Sequence, residues 1–486
     1  MKAQTIRKVG RYGGPLVAFA VLLLPEAPGL DPVGQRTAAV TLWMAVWWMT
    51  EAVAIPVTAL LPLAAFPLLG ILSAANASTP YANEIIFLFL GGFLLAAAME
   101  ESGLHRRIAL AILARVGSSP EGLVLGFMLA TALLSMWISN TATTAMMFPI
   151  GVAVAELFRR GGPKVGFRFG VTLMLGIAYA ASIGGVATLI GTPPNAILAA
   201  AASELLGVEI GFGEWMLVGL PTTAIMLPLG WLLLVRVLHP PGRLEGDAAA
   251  VIDAERAALG PVRPAERRVA AVFGATALAW LLRAPKVVGE ITIPGLATFA
   301  PELRDSSIAM AAALVLFVLP TGDGSGTRLL EWPRARRIPW GVLVLFGGGL
   351  SLARAMDESG LSGWVGSGVA HLGALPLPVI LAAIAVLFVL LTEVTSNAAT
   401  STMAMPLLVG AAGAMTLPAL PLMVSAALAA SMAFMLPVAT PPNAIVFGSD
   451  YLEIRDMMRA GVWMNLLAVV VVTGIVTLLF PLVFGV

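Results

Sequence analysis

The stretch Phe89-Leu-Gly-Gly-Phe-Leu-Leu-Ala-Ala-Ala-Met-Glu-Glu-Ser-Gly-Leu104 returns as Phe346-Gly-Gly-Gly-Leu-Ser-Leu-Ala-Arg-Ala-Met-Asp-Glu-Ser-Gly-Leu361, an offset of 257. At the same offset Ser139-Asn140-Thr141-Ala142-Thr143 matches Ser396-Asn397-Ala398-Ala399-Thr400, and Pro149 matches Pro406. Further along, Gly191-Thr-Pro-Pro-Asn-Ala-Ile197 matches Ala439-Thr-Pro-Pro-Asn-Ala-Ile445, where the offset has slipped to 248. Blocks that recur in one order mark an internal duplication, and their surroundings say what was duplicated.

Those surroundings are apolar. Of 486 residues 59% are hydrophobic and 11% charged, with a mean hydropathy of +0.94. A globular domain carries about 25% charge, so lipid is the solvent for most of this chain. Apolar runs near the ~20 residues that span hydrocarbon recur from end to end. The basic start (Lys2, Arg7, Lys8, Arg11) followed by the run Pro15–Pro25 reads as an uncleaved first helix rather than a secretory signal. The absence of cysteine excludes disulfides and thiolate chemistry, and His105, His239 and His371 lie far apart. No phosphate-binding Gly-x-x-x-x-Gly-Lys-Ser/Thr segment occurs, so an ATP-driven pump would need a separate motor. No Ser/His or paired-Asp arrangement falls in the apolar runs, which argues against an enzyme. A net charge of +1 carries no indication of a nucleic-acid partner.

Punctuation of the apolar runs predicts crossings at 13–28, 36–52, 54–72 and 83–100, then 213–236, 267–283, 306–320, 338–357 and 460–485. Two further spans, 168–205 and 418–447, are interrupted, and 121–156 and 375–413 read as re-entrant hairpins. The fold class expected is an all-α polytopic membrane protein with about eleven transmembrane helices plus two re-entrant hairpins. Basic residues test this, since cytoplasmic loops collect Lys and Arg. The segments before 13 and at 101–120, 157–168, 236–268, 321–337 and 448–459 hold 23 of the 28. Arg36, Arg283, Lys286, Arg304 and Arg354 fall on the other side. That split places the N-terminus in the cytoplasm and the C-terminus outside. It runs the first repeat inward from 83 and the second outward from 338, so the repeats are inverted, an arrangement that puts a transporter's site at their interface. The divisions expected are N-terminal helices over 1–80, a first repeat over 81–236, a cytoplasmic linker over 237–268, further scaffold helices over 269–337 and a second repeat over 338–486.

Each half carries two breaks in helix. Irregular backbone at membrane depth survives only when buried in protein or lining a wet cavity. Ser and Asn are good N-caps, so Ser139-Asn140 and Ser396-Asn397 should end one hairpin arm and cap the next. Thr192 and Thr440 are natural N-caps too, with Pro193 and Pro441 in the first helical position, where no amide hydrogen is needed. Helix N-termini attract anions, while helix C-ends and freed carbonyls attract small cations. None of these segments contains Lys or Arg, so a dianion bound there needs dipoles and co-bound cations to offset its charge. A lone Ser or Gly in a membrane helix mostly serves packing, and Gly91-Gly92 and Gly347–Gly349 read that way; duplication of whole polar segments points to a site instead. Glu101 and Glu358 read as solvated helix ends. Glu393 stands three residues before Ser396 on a hairpin arm, where a buried carboxylate is costly and often functional.

Trp48-Met49-Thr50-Glu51-Ala52, Ser135-Met-Trp-Ile-Ser139-Asn140-Thr141 and the paired Thr-Pro-Pro-Asn segments resemble the divalent anion/sodium symporter family of dicarboxylate, citrate and sulfate carriers, over nearly the whole chain. The resemblance implies a homodimer in the bacterial inner membrane, with a scaffold and a transport domain in each subunit moving by an elevator mechanism. It implies a sodium site at Ser135, Ser139, Asn140 and Gly191 and a pseudo-symmetric one at Thr392, Thr395, Asn397 and Ala439, several acting through backbone carbonyls. Substrate carboxylates would meet Asn140, Thr141, Thr192, Ser396, Asn397, Ala398 and Thr440, with Pro193 and Pro441 beside them. Sodium is the co-transported ion, and no organic cofactor is expected. Ala398 departs from a full second Ser-Asn-Thr motif and removes one hydroxyl. The function implied is sodium-coupled import of a C4 dicarboxylate such as succinate, malate or fumarate. Alternatives are sodium-independent dicarboxylate exchange, sodium-coupled sulfate or citrate carriage or, in a different class, an anion channel.

The charge split makes a direct prediction. Single cysteines introduced at Gly246 and Val486 of this cysteine-free chain should label from opposite faces of the membrane, the first from the cytoplasm only; labelling of both from one face overturns the odd number of crossings.

Overall fold

The computed structural model describes residues 2–116, 119–161, 163–242, 248–288 and 291–484. Gly246 and Val486, and the linker residues Arg243, Glu245 and Asp247, lie outside the described residues. The chain opens with α1 (Lys2–Leu23), α2 (Pro32–Thr50) and α3 (Leu61–Leu68). The first repeat supplies α4 (Glu84–Ser102), α5 (Leu104–Leu113), α6 (Pro120–Ser135), α7 (Asn140–Gly161), α8 (Pro163–Gly185), α9 (Pro193–Leu206) and α10 (Phe212–Leu232). Between the repeats come α11 (Ala248–Leu259), α12 (Pro264–Arg283) and α13 (Asp305–Val318). The second repeat runs in the same order: α14 (Trp340–Glu358), α15 (Leu361–Ser367), α16 (Leu377–Thr392), α17 (Asn397–Met415), α18 (Ala419–Ala430), α19 (Pro441–Phe447) and α20 (Ile454–Leu478).

Both expected hairpins are present, α6–α7 and α16–α17, and both expected interruptions, between α8 and α9 and between α18 and α19. Three details differ from the sequence reading. Helix α1 begins at Lys2 rather than 13, because Lys and Arg are good helix formers and extend the apolar helix into water. The run 54–72 is not one helix but divides into Ile55–Thr58 and Leu61–Leu68, since Pro62, in the first turn of the second, has no backbone donor with which to continue the first. The chain is also not purely helical, as β1 (Lys286–Val288) pairs antiparallel with β2 (Ile291–Ile293) beyond the end of α12. Among the described residues six helices are long and apolar enough to cross a bilayer, and α6, α13, α16 and α18 are shorter apolar helices.

The first duplicated block has a plain structural use. Gly103 and Gly360 follow α4 and α14 with φ of +78° and +70°, a left-handed turn that glycine adopts without steric cost. Each turn ends a long helix and starts a short one, α5 or α15. Beyond it the hairpin packs on the interrupted helix: α8 lies against α6, α7 and α10, and α18 against α16, α17 and α20. The halves interlock, α9 crossing α17 and α18 while α19 meets α7 and α8. A second cluster packs α2 (Met44, Trp48) and Phe66 of α3 against Leu352 and Met356 of α14 and Leu361 of α15. Helices α4, α12 and α13 pack together, and Glu266 at the start of α12, buried to 1% exposure, accepts from Arg107 of α5 at 2.8 and 3.2 Å.

Replacing Gly103 or Gly360 with Ala should cost about 1–2 kcal/mol each, the penalty of left-handed backbone for a residue bearing Cβ. Melting of the purified protein in detergent should fall for both. Gly274→Ala, within α12 with open space around the new methyl, should not lower it.

Candidate functional site

The site forms where the four breaks meet. Ser139 caps α7, its Oγ accepting from Ala142 N at 3.2 Å, and Ser396 caps α17, accepting from Ala399 N at 3.5 Å. Thr440 Oγ1 caps α19 by accepting from Asn443 N at 3.3 Å. Thr192 takes the matching extended position before α9 but makes no side-chain cap, which corrects the sequence reading. Pro-Pro-Asn follows both threonines, but the first free amide here, Asn195 N, donates to the Thr192 carbonyl at 3.3 Å rather than to its hydroxyl.

A cavity of about 1270 Å³ lies between the tips. From the first repeat Ser139, Asn140, Thr141, Gly191, Thr192 and Pro193 line it; from the second, Thr395, Ser396, Asn397, Ala398, Ala439, Thr440 and Pro441. Every residue expected to hold substrate therefore faces one space. Of the residues expected to hold cations, only Ser135 and Thr392 are missing from its wall; both are fully buried at the ends of α6 and α16. Phe89 and Phe93 of α4 and Leu345 of α14 form an apolar flank. At the mouth stand Arg7, Arg334 and Arg337 with Glu51 and Glu100. Two of these arginines are already paired, Arg7 with Glu51 and Arg334 with Glu100, each at 2.9 Å.

The half-sites share a backbone plan and differ in chemistry. In the first, Ser135 Oγ donates to the Ala181 carbonyl at 2.7 Å and lies 2.6 Å from the Asn140 amide. That amide satisfies its surroundings with its nitrogen turned inward, donating to Ser135 Oγ at 2.6 Å, Ala181 O at 3.2 Å and Gly191 O at 3.3 Å. Turned over, it would add a fourth oxygen to those three, the hard-oxygen grouping a small cation requires. In the second, Thr392 turns back to its own helix, donating to Phe388 O at 2.9 Å. Thr395 and Thr400 share a hydroxyl contact of 2.6 Å, and Asn397 Oδ1 is buried with no hydrogen-bond partner among the described residues.

Sequence reasoning assigned the Thr and Pro of Thr-Pro-Pro-Asn and passed over the Asn. Asn195 is fully buried and donates through Nδ2 to the carbonyls of Gly185, Val186 and Thr188 at 3.2, 3.3 and 2.8 Å. Asn443 does the same for Ala433 and Leu436 at 3.2 and 3.0 Å. These side chains hold the unwound segments open; their duplication was the available signal. Ala181 and Thr400 were also missed, one acting through its carbonyl and the other a turn beyond the motif. So were Gly219 and Gly461, which lie so close to Val186 and to Phe434–Met435 that a Cβ would collide with backbone.

A family model described as the sodium:sulfate symporter transmembrane region matches residues 13–486. The chain belongs to the divalent anion/sodium symporter family. Its relatives in that family include a protein named sodium-dependent dicarboxylate transporter SdcS of Staphylococcus saprophyticus, 42% identical over 98% of this chain and 92% of that protein. The Staphylococcus aureus protein of the same name is 40% identical over the same shares. The crystal structure of the Alcanivorax borkumensis YdaH transporter, described as having an unusual topology, is similar in fold at 16% identity, with a TM-score of 0.53 over 86% of this chain and 88% of that one. As a member of the symporter family the chain is a transporter and not an enzyme.

Asn140→Ala and Asn397→Ala should each abolish or severely reduce anion uptake in proteoliposomes while expression and elution volume stay unchanged. Asn140→Ala removes hydrogen bonds worth about 1–3 kcal/mol to partners then left unsatisfied, and Asn397→Ala removes an amide whose oxygen has no hydrogen-bond partner among the described residues and so is free for a ligand. Near-normal uptake in both would reduce the duplicated motif to a packing device.

Proposed function

We propose that this chain imports a C4 dicarboxylate together with sodium, as a homodimer in the inner membrane with about eleven crossings per subunit. The observation that carries the reading is the convergence of both repeats' breaks on one cavity whose tip-lined base, Ser139–Thr141, Gly191–Pro193, Thr395–Ala398 and Ala439–Pro441, bears no cationic side chain. A dicarboxylate brings two negative charges. Helix N-termini supply roughly half a charge each, too diffuse to neutralise it in a low-dielectric space. Sodium at Ser135, Ser139, Asn140 and Gly191, and at Thr392, Thr395, Asn397 and Ala439, supplies the remainder. The carboxylates then sit against Asn140, Thr141, Ser396, Asn397, Thr192 and Thr440, with Ala398 leaving the second side one hydroxyl poorer. The names of the staphylococcal relatives favour a dicarboxylate and sodium over sulfate, citrate or exchange.

The arginine-bearing mouth lies at the ends of α1, α2 and α4 that the basic-residue bias assigns to the cytoplasm, so the cavity corresponds to an inward-facing state. The hairpins, interrupted helices, α10 and α20 form the moving body. It slides as an elevator against a scaffold of α1–α4 and α12–α14, carrying the site across.

Uptake of succinate into proteoliposomes should rise with external sodium with a Hill coefficient above one. Ser135→Ala and Thr392→Ala should shift that curve to higher sodium. Sodium-independent uptake that requires dicarboxylate on the opposite side would overturn the coupling and make the protein an exchanger.

A further inference from the structure

Glu393 follows α16 as its C-cap and is 4% exposed, yet it does not line the cavity. Its Oε1 accepts from Phe434 N and Asn465 Nδ2 at 2.8 Å and from Met435 N at 3.0 Å; its Oε2 accepts from Met435 N and Leu436 N, both at 3.0 Å. The carboxylate is thus seated in a nest of consecutive amides inside the break between α18 and α19, a concavity built for an anion. Among the described residues no Lys, Arg or His pairs with it. Both oxygens already accept N–H bonds, so a cation placed there would face amide protons; Glu393 is not itself a cation ligand.

The matching position in the first repeat, at the offset of 257, is Met136. There the hairpin tip is tied to its break by neutral groups, the Thr188 hydroxyl donating to the Met136 carbonyl. The two tethers therefore join the same pair of elements, and only the second carries a charge. That charge stands two residues from Thr395 and four from Asn397, and its nest closes three residues before Ala439.

Building on the sodium-coupled reading above, we infer that Glu393 is a positioning residue whose fixed negative charge strengthens the second cation seat, Thr395, Asn397 and Ala439, and so makes the two pseudo-symmetric seats unequal. The carboxylate orients the break so that the Ala439 carbonyl meets the hairpin tip. Its charge, offset by dipoles alone, is a lasting attraction for an ion bound at the cavity side of the same tip.

The test follows melting of purified protein in detergent over a sodium chloride series, with choline chloride holding ionic strength constant. Wild-type protein should be stabilised by sodium; no sodium response in wild type would remove the coupled reading and this inference with it. Given that response, Glu393→Gln should raise the sodium concentration for half-maximal stabilisation about tenfold, the scale of one unit charge acting through a partly screened interior. Glu393→Asp, which keeps the charge, should stay within about threefold of wild type. A merely structural role would lower melting equally at every sodium concentration and leave half-saturation in place, and that result overturns the inference. So does Glu393→Asp shifting as far as Glu393→Gln. Should Glu393→Gln yield no folded protein, Asn465→Leu decides. It removes a neutral donor and leaves the charge less offset, so half-saturation should fall, and an unchanged or raised value overturns the inference.

Discussion

A bilayer interior offers no water to a backbone group, so every freed N–H and C=O must find its partner inside the protein. The chain breaks that regularity between α8 and α9 and again between α18 and α19, and the rest of the architecture follows from supplying those partners. Asn195 and Asn443 reach back to the freed carbonyls. The Trp215 indole donates to Val186 O at 3.0 Å and Thr223 to Ile183 O at 2.9 Å. In the second break Tyr179, from the opposite repeat, donates to Phe434 O at 3.0 Å, while Glu393 takes the amides. Because the breaks are held so thoroughly, their outward groups stay free for a ligand.

Duplication preserved this backbone plan more faithfully than its chemistry. Ser135 and Thr392 occupy matching positions, yet one reaches across to α8 and the other bonds its own helix. Asn140 is enclosed by hydroxyl and carbonyl oxygens, whereas Asn397 Oδ1 has no hydrogen-bond partner among the described residues. Thr192 leaves its helix uncapped where Thr440 caps. A site assembled from two such halves is symmetric in its framework and polarised in its electrostatics, which suits a carrier that must hold unlike ions side by side.

Much of this was legible in the residues. The three duplicated blocks mark the repeats, and the distribution of Lys and Arg predicts their inversion. Ser-Asn and Thr-Pro-Pro-Asn, set in apolar surroundings, located the breaks, because polar caps and consecutive prolines have few other uses there. The departures came where local rules were too coarse. Pro62 divided the expected crossing over 54–72, the basic N-terminus joined the helix it precedes, and a short β-hairpin formed beyond α12 without an apolar run to announce it.

What the sequence by itself determined was the class of solvent, the doubling of the chain and the identity of the polar segments, since each follows from composition, period or repetition along one dimension. Only the tertiary structure decided which groups meet. It brought the Ala181 carbonyl to Ser135, aimed Asn195 and Asn443 at backbone rather than at the cavity, and closed the amides of 434–436 around Glu393 from a segment some forty residues away. Those pairings depend on how two interlocked halves cross, and no spacing along the chain encodes a distance between helices that touch only once the bundle has formed.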